Sequence, residues 1–547
     1  MEKEYIVQGC IYTANKDMKF AEAMALQNGK ILYVGDLQGA KNILPAAPII
    51  KKQGFIIPGI AEGHAHITCT SETVFGVTLN NLHSVEEYQD KIRDFIKTHR
   101  QEKVIWGSGY DNGIFDSTGP TARLLDRVEK ERPVVMIASD HHSRWLNTTA
   151  LKLAGITDET PNPANGEIVR YPNGKATGWL KEAAMDFSAK VLEKLNCKDY
   201  AKAIERYQQI AFENGVTMAF EPLYDCRRDY AERAAGYKYL DDRGKLLMTI
   251  TLGYSVEGGD DFTLCFEDML NIKKSLEKCQ NVSLTNLKLF VDGVIECHTA
   301  YLRDDYSDSP GNCGRPMYSL DFMKNAILKA EMSGLDTHIH TIGDRATDMS
   351  ISAIEYAQTE TAKLKGKTDF RNCLVHLQIA DSEQAEKMAE NNIIACTNPY
   401  WHYYSPIYYN ELEKPFLGEA RAKAEYPMKT LLDAGVKISR ASDFPVTFPP
   451  RSMDALHLMV NRTEPGVTEY PPLGEKECIS VEDALQAMTL GGAYQMRLEN
   501  RKGSLEKGKD ADFAILTKNP FEIPKDELYT CEVAETYVGG QCVFKKI

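Results

Sequence analysis

The stretch Gly54-Phe-Ile-Ile-Pro-Gly-Ile-Ala-Glu-Gly-His-Ala-His-Ile67 decides the fold of this 547-residue chain. It begins as an apolar run typical of a buried strand and ends on two histidines, His64 and His66, one residue apart. Because alternate residues of a strand point to the same face, both imidazoles can aim at one point, as two ligands of one metal ion must. An isolated pair of this kind can equally be two ordinary strand or loop histidines, so further ligands must be sought elsewhere in the chain.

Apolar β-type segments alternate with helical patterns along most of the chain, which is typical of βα units and a parallel sheet. Eight of these segments end near residues that we take as strand ends: His66, Glu221, Tyr254, Asp292, His340, His376, Asn398 and Asp443. Eight parallel strands are the number that closes a barrel. We therefore predict an α/β fold, a (β/α)8 TIM-type barrel over residues 56–499. Residues 68–210 lie between the first two strands and carry strand candidates of their own, so we interpret them as a large insertion after strand 1.

Both ends of the chain have a β texture. Near the N-terminus, Asn28-Gly29 is a strong hairpin turn between two apolar segments, and Gly539-Gly540 plays the same part near the C-terminus. We predict that residues 1–55 and 500–547 form one small composite β-sandwich outside the barrel.

The composition narrows the class of protein. Hydrophobic residues make up 43% and charged residues 26% of the chain, as in soluble globular proteins, and no apolar run approaches the roughly 18 residues that a membrane span needs. The first residues lack the pattern of an export signal, and the 13 cysteines form no CxxC pair, so we expect a cytoplasmic protein with reduced thiols. A net charge of −14 disfavours binding to nucleic acid or to a membrane surface, and the expected partner is a small-molecule substrate. The sequence leaves open whether the chain forms a homo-oligomer.

Residues that can carry chemistry fall where the predicted strands end. His340, His376 and Asp443 each follow an apolar segment, and active residues of such barrels cluster at the C-terminal rim. Lys288 interrupts the apolar strand 287–292, where an ammonium group is costly to bury. The lysine therefore needs either a charged partner, for which Asp292 is the candidate, or a modification.

The order HxH, Lys, His, His, Asp resembles the amidohydrolase superfamily of metal-dependent hydrolases. Within it, the chain looks like the branch of the N-substituted formamide deformylases and the YtcJ-like proteins, which has a large insertion. The resemblance covers nearly the whole chain and rests on these segments: PGIAEGHAHI (58–67), GSGYDN (107–112), SDHHSRWLNTTAL (139–151), NGKATGWLKEAA (173–184), LKLFVDGVIECHTA (287–300), HIHTIGDRA (338–346), VHLQ (375–378), ASDFPV (441–446) and KGSLEKGKDADFAIL (502–516).

The resemblance implies a metal site with a fixed set of ligands: His64, His66, Lys288, His340, His376 and Asp443. Lys288 would be N6-carboxylated and bridge two divalent ions, with the HxH pair and Asp443 on one ion and the two later histidines on the other. These ligand types suit zinc, although nickel, manganese or iron fit them as well. A hydroxide activated by the ions would attack the substrate, and Asp443 would act as catalytic base and then as acid. The implied reaction is hydrolysis of the C–N bond of an amide, either an N-acyl or N-formyl amine or a cyclic amide.

Other residues are weaker candidates. Five are candidates for substrate contacts: Tyr110, Asp111, His142, Trp145 and His298. Two positions depart from the family pattern, since His141 stands where relatives have glycine and Val375 where they commonly have an acid. Glu182 is a second bridging candidate, although a helix N-terminal acid explains it better. We expect His338 to support the ligands rather than to be one, and the aromatic run 400–404 either lines the pocket or packs in a buried loop.

Two rivals remain at the level of sequence. A mononuclear deaminase would use the HxH pair, a later histidine and the aspartate with one ion and no bridging lysine. A catalytically silent amidohydrolase-fold protein would keep the barrel for binding or regulation. The intact ligand set favours an enzyme.

Overall fold

The computed structural model describes residues 4–116, 118–163, 166–224, 228–366 and 368–546. At its centre is a sheet of eight parallel strands whose neighbours follow chain order. The strands are β1 (Ile60–Glu62), β2 (Val216–Leu223), β3 (Thr249–Val256), β4 (Val282–Phe290), β5 (Asp336–Thr341), β6 (Cys373–His376), β7 (Ile394–Thr397) and β8 (Ile438–Arg440). They correspond to the eight predicted segments in the same order, so the prediction of a parallel α/β barrel is confirmed.

The two edge strands of this sheet meet along a seam. The backbone N–H of Gly63 donates to the carbonyl of Arg440 at 2.8 Å, and the N–H of Asp443 donates to the carbonyl of His64 at 2.9 Å. Beneath these bonds, the buried Glu62 carboxylate accepts from Arg440 Nη1 at 2.7 Å and from the backbone N–H of Ser442 at 2.7 Å. The seam therefore joins the first and last strands at the level where the predicted ligands begin.

Helices surround the barrel and return the chain to the start of each next strand. The principal ones are Cys197–Glu213, Tyr230–Asp241, Phe262–Ser275, Leu320–Met332, Asp344–Lys365, Ser382–Glu390, Met428–Asp433 and Ser452–Asn461. Several begin at a side chain that accepts a backbone N–H, as Asn196, Asp261 and Asp381 do, because the first turn of a helix leaves its amides without partners. Among the described residues, no helix combines the length and the apolar character that a membrane crossing requires.

Residues between β1 and β2 form a second sheet of six strands. Its strands are Val77–Thr78, Ile105–Tyr110, Val134–Ala138, Ser143–Leu146, Gly166–Arg170 and Ala176–Glu182, with helices Val85–Thr98, Ala122–Asp126 and Thr148–Ala154 beside them. Apolar clusters cover both faces of this sheet. The predicted insertion, 68–210, also includes most of helix Cys197–Glu213, which packs against the next barrel helix. Positions 117 and 164–165 of the insertion lie outside the described residues.

Both ends of the chain contribute to one seven-stranded sheet. Its strands are Glu4–Asn15, Met18–Gln27, Lys30–Gly35, Ile49–Pro58, Phe513–Leu516, Val533–Val538 and Gln541–Lys545. Ile49–Pro58 holds the two ends together, because it pairs parallel with Glu4–Asn15 and antiparallel with Phe513–Leu516. The same strand leads directly into β1, so this terminal sheet fixes where the barrel starts. Positions 1–3 and 547 of the predicted composite unit lie outside the described residues.

We expect the Arg440→Met variant to lose about 3–5 kcal/mol in its free energy of unfolding, because Glu62 would keep a buried charge without its cation. Urea denaturation followed by tryptophan fluorescence measures this loss. The matched control is Lys429→Met, which breaks an exposed pair with Asp433 and should leave the unfolding midpoint unchanged. Equal stability of the two variants would show that the seam does not depend on the buried pair.

Candidate metal centre

His64, His66 and Asp443 come together at the C-terminal rim of the barrel, beside the seam. Asp443 Oδ1 lies 3.2 Å from His64 Nε2 and 3.4 Å from His66 Nε2. Their potential ligand atoms all fall within 4.8 Å of one another. The histidines follow β1 and the aspartate follows β8, so the closure of the barrel brings these three residues together.

The surroundings of this group fit a cation. Burial holds the pKa of His64 well below its usual value, so the imidazole is neutral, and its Nδ1 shares a hydrogen bond of 2.7 Å with His338 Nε2. In the tautomer in which Nδ1 donates to His338, the Nε2 lone pair faces the carboxylate. Asp443 Oδ1 has no hydrogen-bond partner among the described residues, nor has the buried Nδ1 of His66. The neutral His64 imidazole, the His66 ring and an unsatisfied carboxylate oxygen form a donor set suited to zinc.

His340 and His376, at the ends of β5 and β6, lie beside the first group. Their ring centroids are 4.6 Å apart, and the His376 ring is 5.4 Å from that of His64. Burial lowers the pKa of His376 to about 4 and that of His340 well below its usual value, so both rings are neutral and can act as ligands. Asn398 Oδ1 is 2.9 Å from His376 Nδ1 and orients this ring.

Lys288 on β4 is wholly buried in the barrel among these groups. Its Nζ has no hydrogen-bond partner among the described residues and lies 4.4 Å from the centroid of the Phe290 ring. Burial lowers the pKa of the lysine to about 7, although the nearby Asp443 carboxylate opposes this shift. A substantial fraction of the amine is therefore uncharged near neutral pH, which is the form that can add carbon dioxide.

Asp292 does not serve as the partner of Lys288. Its carboxylate accepts the backbone N–H groups of Tyr301, Ile342 and Gly343 at 2.9, 3.0 and 2.8 Å. Burial nevertheless raises the pKa of Asp292 to about 7. Asp292 holds the loops after β4 and β5 in place, and the ion pair considered from sequence is absent among the described residues.

A cavity of about 420 Å³ lies above these residues, and the insertion supplies part of its wall. His142 and Glu182 both line it, with His142 Nδ1 3.1 Å from Glu182 Oε2. Burial alone would lower the pKa of His142, but the Glu182 carboxylate outweighs it and raises the pKa to about 10. The insertion thus places an imidazolium in a cavity whose floor holds neutral imidazoles. The His142 ring is 6.5 Å from that of His340. His141, which precedes His142 and stands where relatives have glycine, adopts a left-handed backbone with φ 62°.

Four of the predicted substrate contacts lie away from the cavity. Tyr110 and Trp145 are fully buried in the core of the insertion, where Tyr110 bonds Ser143 and Trp145 donates to the carbonyl of Thr121. Asp111 caps a short turn by accepting the N–H of Gly113. His298 bonds Asp308 at 2.9 Å and is absent from the cavity wall. The sequence motifs identified the segments that carry these four residues. They did not predict whether each side chain points toward the cavity.

The aromatic run 400–404 supplies three residues of the cavity wall: Tyr400, Trp401 and Tyr403. Trp401 stacks on His376 with ring centroids 5.4 Å apart. His402 is buried and stacks on Tyr426. Sequence reasoning missed Glu296 and Glu413, which also line the cavity. Glu413 lies in a short helical segment after β7 that has no motif, so no local pattern could have indicated it.

Comparison with known proteins shows which family the chain resembles over almost its whole length. The sequence model that describes the amidohydrolase family matches residues 52–544 of this chain. The chain is 28% identical to "Protein LONG AFTER FAR-RED 3" of Arabidopsis thaliana, over 98% of this chain and 91% of that protein. It is 26% identical to "N-substituted formamide deformylase" of Arthrobacter pascens, over 98% of this chain and 97% of that protein.

A solved structure, an uncharacterized metal-dependent hydrolase from Pyrococcus horikoshii, has the same fold. It superposes with a TM-score of 0.74 over 95% of this chain and 99% of that chain, at 22% sequence identity. The likeness therefore extends over the terminal sheet and the insertion as well as the barrel.

We expect the purified chain to retain divalent metal and the His66→Asn variant to retain at most half as much per chain, because one ligand of the first group is lost. Elemental analysis after zinc loading and gel filtration measures the content. The control is His99→Asn at an exposed position of the insertion. Equal metal content in the two variants would contradict this assignment of His66.

Proposed function

The chain belongs to the amidohydrolase family, and we propose that it hydrolyses the C–N bond of an N-acyl or N-formyl amine with the help of divalent metal. The observation that carries the proposal is that His64, His66, His340, His376 and Asp443 line one cavity, with the first two and Asp443 close enough to share an ion. The unpartnered Lys288 amine is buried near them. The formamide deformylase relative is a hydrolase of this reaction class by its name, and it spans the whole chain.

We propose that His64, His66 and Asp443 hold one ion and that His340 and His376 hold a second. Lys288, as its carbamate, would bridge them. This modification replaces a buried cation, which two divalent ions would repel, by an anion that they attract. The support for it is the orphaned Nζ in a fully buried site and the engagement of Asp292 elsewhere. Bound divalent ions would supply Lewis acidity, which lowers the pKa of coordinated water toward ~7 and polarises the substrate carbonyl.

The roles of the chain's own residues follow from their charge. Asp443 would accept a proton from the attacking water and return it to the nitrogen of the leaving amine, since one carboxylate can serve as base and then as acid. His142 would donate a hydrogen bond to the carbonyl oxygen as negative charge develops there. This role is supported by its raised pKa and its place in the cavity wall.

We expect Asp443→Asn to lower kcat/KM by at least about 1000-fold, because an amide cannot accept the proton of the attacking water. A panel of formylated and acetylated amines, tested on the metal-loaded protein, provides the substrate. Circular dichroism and thermal unfolding should show a folded variant. The control is Asp433→Asn on an exposed helix, which should keep full activity. Activity that survived in Asp443→Asn would show that the base is misassigned.

We expect the wild-type chain to hold two ions and Lys288→Met to hold at most one, because the bridging ligand is removed. A carbamate resonance from 13C-labelled bicarbonate should appear in the wild type and be absent from the variant. Lys437→Met, at an exposed position, is the control for both measurements. One ion per wild-type chain and no carbamate signal would favour the mononuclear deaminase. A protein that holds two ions but hydrolyses no amide would favour the silent binding protein.

A further inference from the structure

Three glutamates lie close together beside the cavity, and two of them, Glu296 and Glu413, line it. Glu296 lies in the short 3-10 helix Ile295–Cys297 and Glu413 in the π-helical turn Tyr409–Glu413, and these two segments pack against each other. Glu425 follows in the chain and is fully buried. We call Glu296, Glu413 and Glu425 the glutamate wall.

The carboxyl groups of the glutamate wall have few hydrogen-bond donors around them. Glu413 lines the cavity with only 3% of its surface exposed, and no described residue donates a hydrogen bond to it except the neighbouring carboxyl group of Glu425. Gln378 Nε2 donates to Glu425 Oε1 at 2.6 Å, so Glu425 contacts Gln378 and Glu413, whereas Glu296 Oε2 has no partner among the described residues. Burial, and then repulsion from Glu296, raise the pKa of Glu413 to about 8.

The nearby cations are engaged elsewhere. Arg462 donates through its guanidinium to the backbone carbonyls of Tyr426 at 3.0 Å and Glu425 at 2.9 Å, so it does not pair with the carboxylates. His142 pairs with Glu182. Of the cavity's described lining residues, eight carry carboxyl groups and one, Arg228, carries a guanidinium, which pairs with Glu257. A positively charged ligand would therefore supply the partner that the carboxyl groups on this side of the cavity do not have.

Aromatic rings connect the glutamate wall with the metal ligands. Trp401 stacks on His376 and also packs against an apolar cluster that contains Ile295 and Tyr426, the chain neighbours of Glu296 and Glu425. The same cluster contains Tyr409, which begins the segment that ends at Glu413. Tyr408 and Tyr426 line the cavity beside Glu413. Such rings suit an aliphatic chain and, at its end, a cation.

We propose that the glutamate wall binds a positively charged amino group of the substrate, so that the substrate is an amide that also carries a free amine, such as a monoacylated diamine. The proposal rests on the proposed amide hydrolysis. The amide would lie at the metal ligands, the aliphatic chain along Trp401, and the ammonium group at Glu413. On binding, the Glu413 carboxyl group would release its proton to solvent and accept charge-assisted hydrogen bonds from the ammonium group.

The test compares monoformylated and monoacetylated 1,5-diaminopentane with the corresponding amides of pentylamine, which lack the charge. We expect kcat/KM of the wild type to be roughly 10- to 100-fold higher for the charged amides, mostly through KM, as a desolvated hydrogen bond to a charged group would give. Glu413→Gln should bring this ratio close to one. Glu411→Gln, at an exposed position of the same turn, should keep it. Equal rates on charged and neutral amides in the wild type, or an unchanged ratio in Glu413→Gln, would overturn the proposal.

Two further measurements separate the possible failures. In Glu413→Gln the new side-chain amide can donate to Glu425, so the thermal midpoint of this variant should be no lower than that of the wild type, and a lost preference is then not a folding defect. Calorimetry of 1,5-diaminopentane with the metal-loaded protein should show binding in Glu411→Gln and at least tenfold weaker binding in Glu413→Gln. Diamine binding without hydrolysis of any amide would remove the proposed reaction and keep the ammonium site. Binding of calcium in place of the diamine would identify a metal site and overturn the proposal.

Discussion

The Glu62 carboxylate is the constraint on which the site depends. It accepts the backbone N–H groups of His64 and Ser442, one on each side of the seam, and pairs with the buried Arg440 guanidinium. One carboxylate therefore sets the backbone of the HxH segment and of the segment that carries Asp443. A buried charge that is paired and fully hydrogen-bonded tolerates little displacement, because each lost bond leaves a desolvated charge. The contacts that close the barrel are thus the same ones that bring His64, His66 and Asp443 together.

Beyond this seam, buried polar groups lack partners at two places around the cavity. At the floor of the cavity, neutral histidines and an unsatisfied Asp443 oxygen surround the orphaned Lys288 amine, an arrangement that divalent ions and a carbamate would complete. At its side, no described cation forms an ion pair with Glu413, and Glu296 Oε2 has no hydrogen-bond partner among the described residues. Burial of unpaired polar groups costs free energy, and such groups persist where a ligand supplies the missing partner. The metal ligands and the glutamate wall would then bind different ends of one substrate.

The insertion contributes to this cavity through a few residues at the edge of its sheet. Glu182 ends one of its strands with a positive φ of 49°, and His142 precedes another, so both side chains leave the sheet toward the barrel. The rest of the inserted sheet, including Tyr110 and Trp145, forms a core of its own. The insertion therefore acts as a rigid support for one imidazolium and its carboxylate partner rather than as a broad binding surface.

The sequence alone determined the eight barrel strands and the segments that meet at their ends, because buried parallel strands are continuous apolar runs and ligands at strand ends recur in chain order. The alternation of His64 and His66 likewise follows from local geometry. Local patterns could not tell which side chains face the cavity, and Tyr110, Trp145 and His298, predicted as substrate contacts, lie away from it. Only the tertiary structure decided the engagement of Asp292 by three loop amides and the meeting of Glu296, Glu413 and Glu425. These contacts join residues far apart in sequence, and their energies depend on burial that no short segment encodes.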